Sequence, residues 1–264
     1  MLVTGATGKM GRRVLDLVHA DTELTLVGAV THAAHAAVGR DAGELAGLGP
    51  IGVPVEHTCV PRMPETDVII DFSVPEAALE YARLAAVHQK AIVIGTTGFS
   101  TAQQEALRLL SQRMRCFLAP NMSVGVNVLF QALRQLVTSL GPGYDVEIME
   151  AHHRTKVDAP SGTALRLASI VAAARGVQMD EVAVYGRHGL VGRRSDTEIG
   201  IQAMRAGDIV GEHTIFLAGT GERLELIHRS HSRDTFASGA LRAAKWILKQ
   251  PNGLYSMEEL LSLA

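Results

Sequence analysis

Up to Asn121 the apolar positions alternate between two rhythms. Leu2 to Thr4, Leu24 to Thr31, Asp67 to Phe72, Ala91 to Ile94 and Cys116 to Ala119 are short apolar runs that read as strands. Between them, Met10, Val14, Leu17 and Val18 recur at helical spacing, as do Ala78, Tyr81, Ala82 and Ala85 after Pro75. Thr101 to Met114 is a further predicted helix, and the Ala/His/Gly-rich stretch from His32 to Gly49 reads as a long loop. Strand and helix in alternation predict a parallel sheet with helices on both faces.

The pattern changes after Asn121. Val124 to Leu140 is a long apolar helix ending at Gly141, Asp145 to His152 alternates as a strand, and Ser161 to Ala174 is helical again. Three strand-like runs then follow without helices between them: Thr197 to Arg205, Ile209 to Ala218 and Arg223 to His231, with turns at Gly207-Asp208 and Gly219 to Gly221. They predict an antiparallel or mixed sheet with a helix on it. A helix over Thr235 to Lys249 and a short one near Met257 to Leu263 close the chain and are expected to return to the first domain. The expected division is 1–123 with 234–264, and 124–233.

The chain has 264 residues, 47% of them apolar, enough for one large domain or two modest ones. Its 25 basic and 27 acidic residues leave a formal charge of −2, which gives no electrostatic case for nucleic acid or a membrane surface. Cys59 and Cys116 form no CxxC motif and read as reduced, buried thiols. The opening MLVTGATGKMGRR lacks the apolar core of a secretory signal, and no apolar run is long enough to span a bilayer, so a cytoplasmic protein is expected. Only four residues precede Gly5, so the first strand is either short or begins upstream.

Gly5-Ala6-Thr7-Gly8-Lys9-Met10-Gly11 follows a strand and opens a helix. Glycines at this spacing permit a tight turn and close backbone approach to a pyrophosphate, and the helix start supplies N–H donors. A carboxylate that would accept from the ribose 2′-hydroxyl of NAD normally stands about 20 residues on. Here the second strand ends Val30-Thr31-His32-Ala33-Ala34, with no acid. NADPH is therefore expected to be accepted at least as well as NADH, with Lys9, Arg12, Arg13 or His32 near the phosphate. TGATG also suits short-chain dehydrogenases, but none of Tyr81, Tyr144, Tyr185 and Tyr255 has a lysine four residues on. Gly95-Thr96-Thr97-Gly98 and Ala119-Pro120-Asn121-Met122 end later strands, where the ligand crevice of such a sheet lies.

In EAHHRTKVDAPSGTAL, residues 150–165, two histidines, an arginine and a lysine precede an apparent helix start. If the strand continued through His153, the adjacent His152 and His153 would point to opposite faces, which disfavours a two-histidine metal site; no metal is expected. A small anionic substrate fits better. Lys156 and the helix start, with Asp158 or Ser161 as cap and Gly162 and Thr163 offering N–H groups, are candidate carboxylate binders. A histidine is the candidate proton carrier.

Taken with GATGKMGR at 5–12, DFSVPE at 71–76, VIGTTGF at 93–99, NMSVGVNV at 121–128 and RAGDIVGEHT at 205–214, these residues resemble the 4-hydroxy-tetrahydrodipicolinate (dihydrodipicolinate) reductase family of bacterial lysine and diaminopimelate biosynthesis. The resemblance implies a Rossmann-type doubly wound α/β domain plus a smaller α+β domain with a mixed sheet, which binds substrate and assembles a homotetramer. It implies His152 as proton donor/acceptor, Lys156 as catalytic proton donor, and His153, Gly162 and Thr163 as substrate binders. Gly5 to Met10, Gly95 to Thr97 and Ala119 to Met122 would contact NADPH or NADH. The implied substrate is a cyclic dicarboxylate that loses water to a conjugated imine, takes hydride at ring C4 and is then protonated. Members often carry an acid, commonly followed by Arg, where His32-Ala33 stands here. The rival readings are another two-domain oxidoreductase on a small carboxylate, such as aspartate dehydrogenase-like enzymes, and a non-catalytic NAD(P)-sensing protein.

Overall fold

The computed structural model describes residues 1–262. The chain divides into two compact units, one formed by Met1–Val124 with the segment from Arg233 onward, the other by Gly125–Ser232. In chain order the first unit contains β1 (Leu2–Thr4), α1 (Lys9–Ala20), β2 (Gly28–Val30), α2 (Ala42–Ala46), β3 (Val55–Glu56), a 3-10 turn at Val60–Glu65, β4 (Val68–Asp71), α3 (Pro75–Val87), β5 (Ala91–Ile94), α4 (Thr101–Leu110) and β6 (Arg115–Leu118). After α5 (Val124–Leu140), which starts at the boundary, the second unit runs β7 (Asp145–His152), α6 (Gly162–Arg175), α7 (Met179–Val182), β8 (Ala183–Tyr185), β9 (Ile199–Arg205), β10 (Gly211–Ala218) and β11 (Arg223–Ser230). Then α8 (Asp234–Ile247), β12 (Gly253–Tyr255) and α9 (Met257–Leu260) complete the first unit.

The first unit is a seven-stranded, wholly parallel sheet in the order β12-β6-β5-β4-β1-β2-β3. Every residue of β4 (VIID) and β5 (AIVI) is buried, as strands covered by helices on both faces must be. One face packs Val3, Ile70 and Val93 with Val14, Leu15 and Val18 of α1 and Ala237, Ala240 and Ala244 of α8. The other packs Leu2, Ile69 and Ile92 with Ala78, Ala82 and Ala85 of α3. This is the parallel sheet with helices on both faces expected from the alternation, in the doubly wound Rossmann form that the family resemblance implies.

The second unit is a five-stranded mixed sheet, β11-β10-β7-β9-β8, in which β10 runs antiparallel to β7 and β11 while β9 runs parallel to β7 and β8. Val146 and Ile148 of β7, Ile215 and Leu217 of β10 and Ile199 and Ile201 of β9 face α6 through Ala164, Leu167, Ala168 and Val171. Each buried Leu or Ile in such a layer contributes about 1.5–3 kcal/mol.

Several boundaries differ from the sequence-based expectation. The second strand spans only Gly28–Val30, because it pairs where β1 lies beside it, beginning at Leu2↔Gly28. The stretch His32 to Gly49 is not all loop: Asp41 accepts N–H bonds from Gly43, Ile51 and Gly52 and so caps the one-turn α2. β3, β8 and β12 are too short to show a period and were not anticipated. α4 stops at Leu110, four residues before Met114. The short C-terminal helix ends at Leu260; the part of its expected span at Leu263 lies outside the described residues.

Candidate functional site

In the first unit the glycine turn is shaped by contacts that exclude side chains. Gly5 has φ +67°, and a Cβ there would lie 2.2 Å from the Phe72 carbonyl oxygen. A Cβ on Gly11 would lie 2.1 Å from the Gly5 carbonyl oxygen, so α1 can approach the turn only with glycine at that place. Gly8, by contrast, is exposed and N-caps α1 without any side-chain hydrogen bond. An uncapped helix start on a strand-to-helix turn is a receptor for an anion, and it fits the pyrophosphate of a dinucleotide. Thr7 and Thr31 join their hydroxyls at 2.9 Å, tying the turn to the end of β2, and Arg12 Nε donates to the Thr7 carbonyl at 3.1 Å. Arg13, one of the expected phosphate neighbours, is instead paired with Asp16 and Asp234.

The other expected cofactor residues also cluster at the C-terminal ends of the parallel strands. Gly95 N–H donates to the Asp71 carbonyl, and Thr96 is buried while Thr97 is exposed. Ala119 N–H donates to the Ile94 carbonyl; Asn121 Oδ1 accepts from Ser123 N–H at 2.9 Å. The Met122 carbonyl lies 1.8 Å from where a Cβ on Gly239 would stand, so α8 packs directly on this loop.

In the second unit the site grows from the alternation of β7. Val146 and Ile148 point into the core, and the same face continues with Glu150 and His152. Glu150 is fully buried. Its carboxylate accepts four hydrogen bonds that join separate elements. His152 Nδ1 donates at 2.6 Å, and Arg205 grips both oxygens at 2.7 and 2.8 Å. Ser161 N–H, at the start of α6, donates at 2.9 Å. Arg205 reaches on to the Asp158 carbonyl at 2.7 Å, while the Asp158 carboxylate holds Lys156 Nζ at 2.7 and 2.9 Å. One carboxylate thus organises His152, the segment carrying Lys156 and the first turn of α6. Gly211 of β10 lies close beside them: a Cβ there would come within 3.1 Å of His152 Nε2 and press on the ring.

The charges follow from this arrangement. Burial pushes the Glu150 carboxyl up, but Arg205, His152 and the Ser161 N–H outweigh it, and the group is held below its ordinary value. Burial, helped by the charges of Lys156 and Arg205, lowers His152 in spite of Glu150. A neutral His152 with Nδ1–H on Glu150 leaves Nε2 as the nitrogen that can accept a proton. Behind it stands His213, 4% exposed, with its ring edge-on to His152 at 5.3 Å and Nε2 3.2 Å from Ser161 Oγ. Burial takes His213 down to about 4, so it is neutral near pH 7. Its Nδ1 is buried without a partner. An unpaired lone pair costs less than an orphaned N–H, which assigns the proton to Nε2. Ser161 Oγ then accepts from both His213 and Ala164 N–H (3.2 Å), and its own hydrogen is left to donate.

His153 departs from expectation. The strand ends at His152, whose carbonyl accepts from Ala206, and the chain then turns, with Lys156 N–H on the His153 carbonyl. Strand alternation therefore does not place His153, which bonds Thr155 Oγ1 through Nδ1 at 2.8 Å. Gly162, exposed, is the first residue of α6, and a Cβ there would meet nothing within 4 Å. The fold itself does not demand glycine at that position. Thr163 follows in the same turn. Ser161, expected as a possible cap, does cap α6, through Ala164 N–H. Sequence reasoning missed the roles of Glu150, Arg205 and His213. Glu150 carried a signal, standing two residues before His152 and so on the same strand face.

Comparison with known proteins covers both units. The N-terminal model of dihydrodipicolinate reductase matches residues 1–122 and the C-terminal model residues 125–261. A 4-hydroxy-tetrahydrodipicolinate reductase from Syntrophus aciditrophicus is 52% identical over 98% of this chain and 97% of its own. One from Syntrophobacter fumaroxidans is 48% identical over 99% and 98%. The structure of a dipicolinate-bound dihydrodipicolinate reductase from Paenisporosarcina sp. TG-14 superposes with a TM-score of 0.77, at 26% identity, over 98% of this chain and 97% of that one. An amine dehydrogenase from Mycobacterium smegmatis, at 16% identity and a TM-score of 0.61, shares the fold. With both of its units matched and relatives of about half-identical sequence spanning its length, this chain belongs to the dihydrodipicolinate reductase family.

Proposed function

We propose that the chain catalyses the NAD(P)H-dependent reduction of 4-hydroxy-tetrahydrodipicolinate to tetrahydrodipicolinate, with loss of water, in diaminopimelate and lysine biosynthesis. The observation that carries the reading is the hub at Glu150, which gathers a neutral imidazole, the Lys156 segment and a helix start around one buried carboxylate. Those are the groups a cyclic dicarboxylate undergoing proton transfer requires.

Each residue then has a task. The carboxylates of the substrate take the place of water at the start of α6, held by the backbone of Gly162 and Thr163 and by His153. The open space at the Gly162 Cβ position supports close approach there. Lys156 supplies a proton as an ammonium, and Asp158 presents it until substrate arrives. His152 moves a proton at Nε2, with Glu150 holding the tautomer. Dipicolinate, the ligand of the Paenisporosarcina structure, is likewise a ring dicarboxylate. The nicotinamide cofactor, when bound, supplies the hydride; the protein orients it through Gly5 to Met10, Gly95 to Thr97 and Ala119 to Met122. The first unit is accordingly the dinucleotide-binding domain and the second the substrate-binding and oligomerisation domain.

Both NADPH and NADH are used. With no acid after β2 and with Arg13 committed to Asp16 and Asp234, a 2′-phosphate falls to Lys9, Arg12 and His32. The enzyme is a cytoplasmic homotetramer. Supporting assembly, the sheet face opposite α6 exposes the apolar side chains Met149 (41%) on β7, Met204 (49%) on the adjacent β9 and, across Thr214 of β10, Ile227 (47%) on β11. No helix among the described residues is long and apolar enough to cross a membrane.

The test is a coupled assay with the aldolase-type synthase that makes the unstable substrate. NAD(P)H oxidation is expected only when pyruvate and aspartate semialdehyde are both supplied. Oxidation with another carboxylate alone overturns the reading, and a large preference for NADH in kcat/KM overturns the cofactor assignment.

A further inference from the structure

Asp71, the last residue of β4, is completely buried, and its bonding partners are hydroxyls rather than a cation. Thr4 Oγ1 and Ser73 Oγ donate to Oδ1, both at 2.6 Å, and Thr96 Oγ1 donates to Oδ2 at 2.6 Å. Thr96 Oγ1 also accepts from Ser73 N–H at 2.9 Å. The carboxylate therefore clasps the C-terminal ends of β1, β4 and β5 together. Phe72, the next residue, is threaded between two glycine turns. Its carbonyl faces Gly5, and its ring would lie 2.1 Å from a Cβ on Gly95. Burial pushes the Asp71 carboxyl up while the three hydroxyls pull it back. A carboxylate buried without a cation is costly, and a plain strand tie would not need one. Only an acceptor-only group can take three O–H donors at once; an amide would present N–H to at least one of them.

The sheet order shows where this clasp lies. In a doubly wound sheet the dinucleotide crosses the strand ends at the point where the order reverses, with its adenosine ribose at the end of β2. Here the reversal is at β1 and β4, so the other half of the cofactor would lie over β4 and β5. We propose that Asp71 is a positioning residue for the nicotinamide half of the cofactor, acting through the Thr96 hydroxyl to set the Gly95–Thr97 turn. This deepens the dinucleotide reading and rests on it.

The experiment compares two probes on the full chain. NADH is titrated by its fluorescence and ADP-ribose, which lacks nicotinamide, by calorimetry. Asp71→Asn is expected to weaken NADH by about tenfold or more, the effect of losing hydrogen bonds to a charged group, and to leave ADP-ribose within about twofold. Equal weakening of both probes, or NADH binding like wild type, overturns the proposal. Should Asp71→Asn not fold, Thr96→Val and Thr96→Ser decide: the valine must show the same split and the serine must restore NADH affinity, and a serine as poor as the valine overturns it. Failure of the wild-type chain to bind NADH would instead strike the cofactor reading itself.

Discussion

Acid should cost the second unit stability through His213. In the folded chain it is taken down to about 4, against an ordinary 6.5, by burial first and then by the charge of His152, with His228 and Lys156 adding and Glu150 opposing. Its folded value is depressed, so below 6.5 the unfolded chain binds the proton and the folded chain does not. The stability at stake is whole above 6.5 and drains away as pH falls, until the folded group titrates near 4. Each pH unit in that window removes about 1.4 kcal/mol, so about 2 kcal/mol is gone by about pH 5 and about 3 kcal/mol by about pH 4. His213→Gln removes the titration while keeping an N–H donor in reach of Ser161 Oγ. The assay is urea unfolding at about pH 7 and about pH 5, at one protomer concentration because an oligomer is stabilised by mass action. Wild type should lose about 2 kcal/mol more between the two conditions than the variant does. Equal losses would refute a neutral, buried His213 and with it the tautomer assigned to Ser161.

Other outcomes follow from the same geometry. Lys156→Ala should lower kcat by about 10²–10⁴, the usual contribution of a positioned acid, whereas His153→Ala should mainly raise KM. Activity of Lys156→Ala within about tenfold of wild type would remove Lys156 from that role. Glu150→Gln deletes the influence that raises His152, so the acid limb of kcat/KM should move to lower pH; movement upward contradicts the pairing. The same change leaves the Arg205 guanidinium, 19% exposed, without its carboxylate, at a cost of about 3–5 kcal/mol in unfolding free energy. Gly11→Ala must push α1 away from the Gly5 carbonyl, costing about 1–3 kcal/mol and weakening NADH; a variant as stable and as tight-binding as wild type would refute the close approach.

The parallel sheet was legible because its strands are buried on both faces, which leaves uninterrupted runs such as VIID and AIVI. The 152–163 cluster was legible because its members are neighbours in the chain. What escaped is what depends on register. Arg205 stands opposite His152 only through the parallel pairing of β7 with β9, and His213 opposite Glu150 only through the antiparallel pairing of β7 with β10. Nothing local in either segment announces its partner. The Asp71 clasp needs three strand ends brought together by two crossovers. Histidine-rich and alanine-rich composition hid α2, whose single turn is held by the Asp41 side chain instead of by an apolar face.

The interruption of the first unit by the second has a consequence for synthesis. β12 pairs with β6 through Gly253↔Arg115, and α8 fills the core beneath β4 and β5, so the earlier-made part of the sheet stays uncovered while Gly125–Ser232 is translated. The second unit, contiguous in the chain, can complete its core as it leaves the ribosome. Folding order is thus inverted relative to synthesis. Chains ending at Ser232 and released from the ribosome should yield a protease-resistant fragment from the second unit while the glycine turn is still cleaved; protection of both would contradict the inversion.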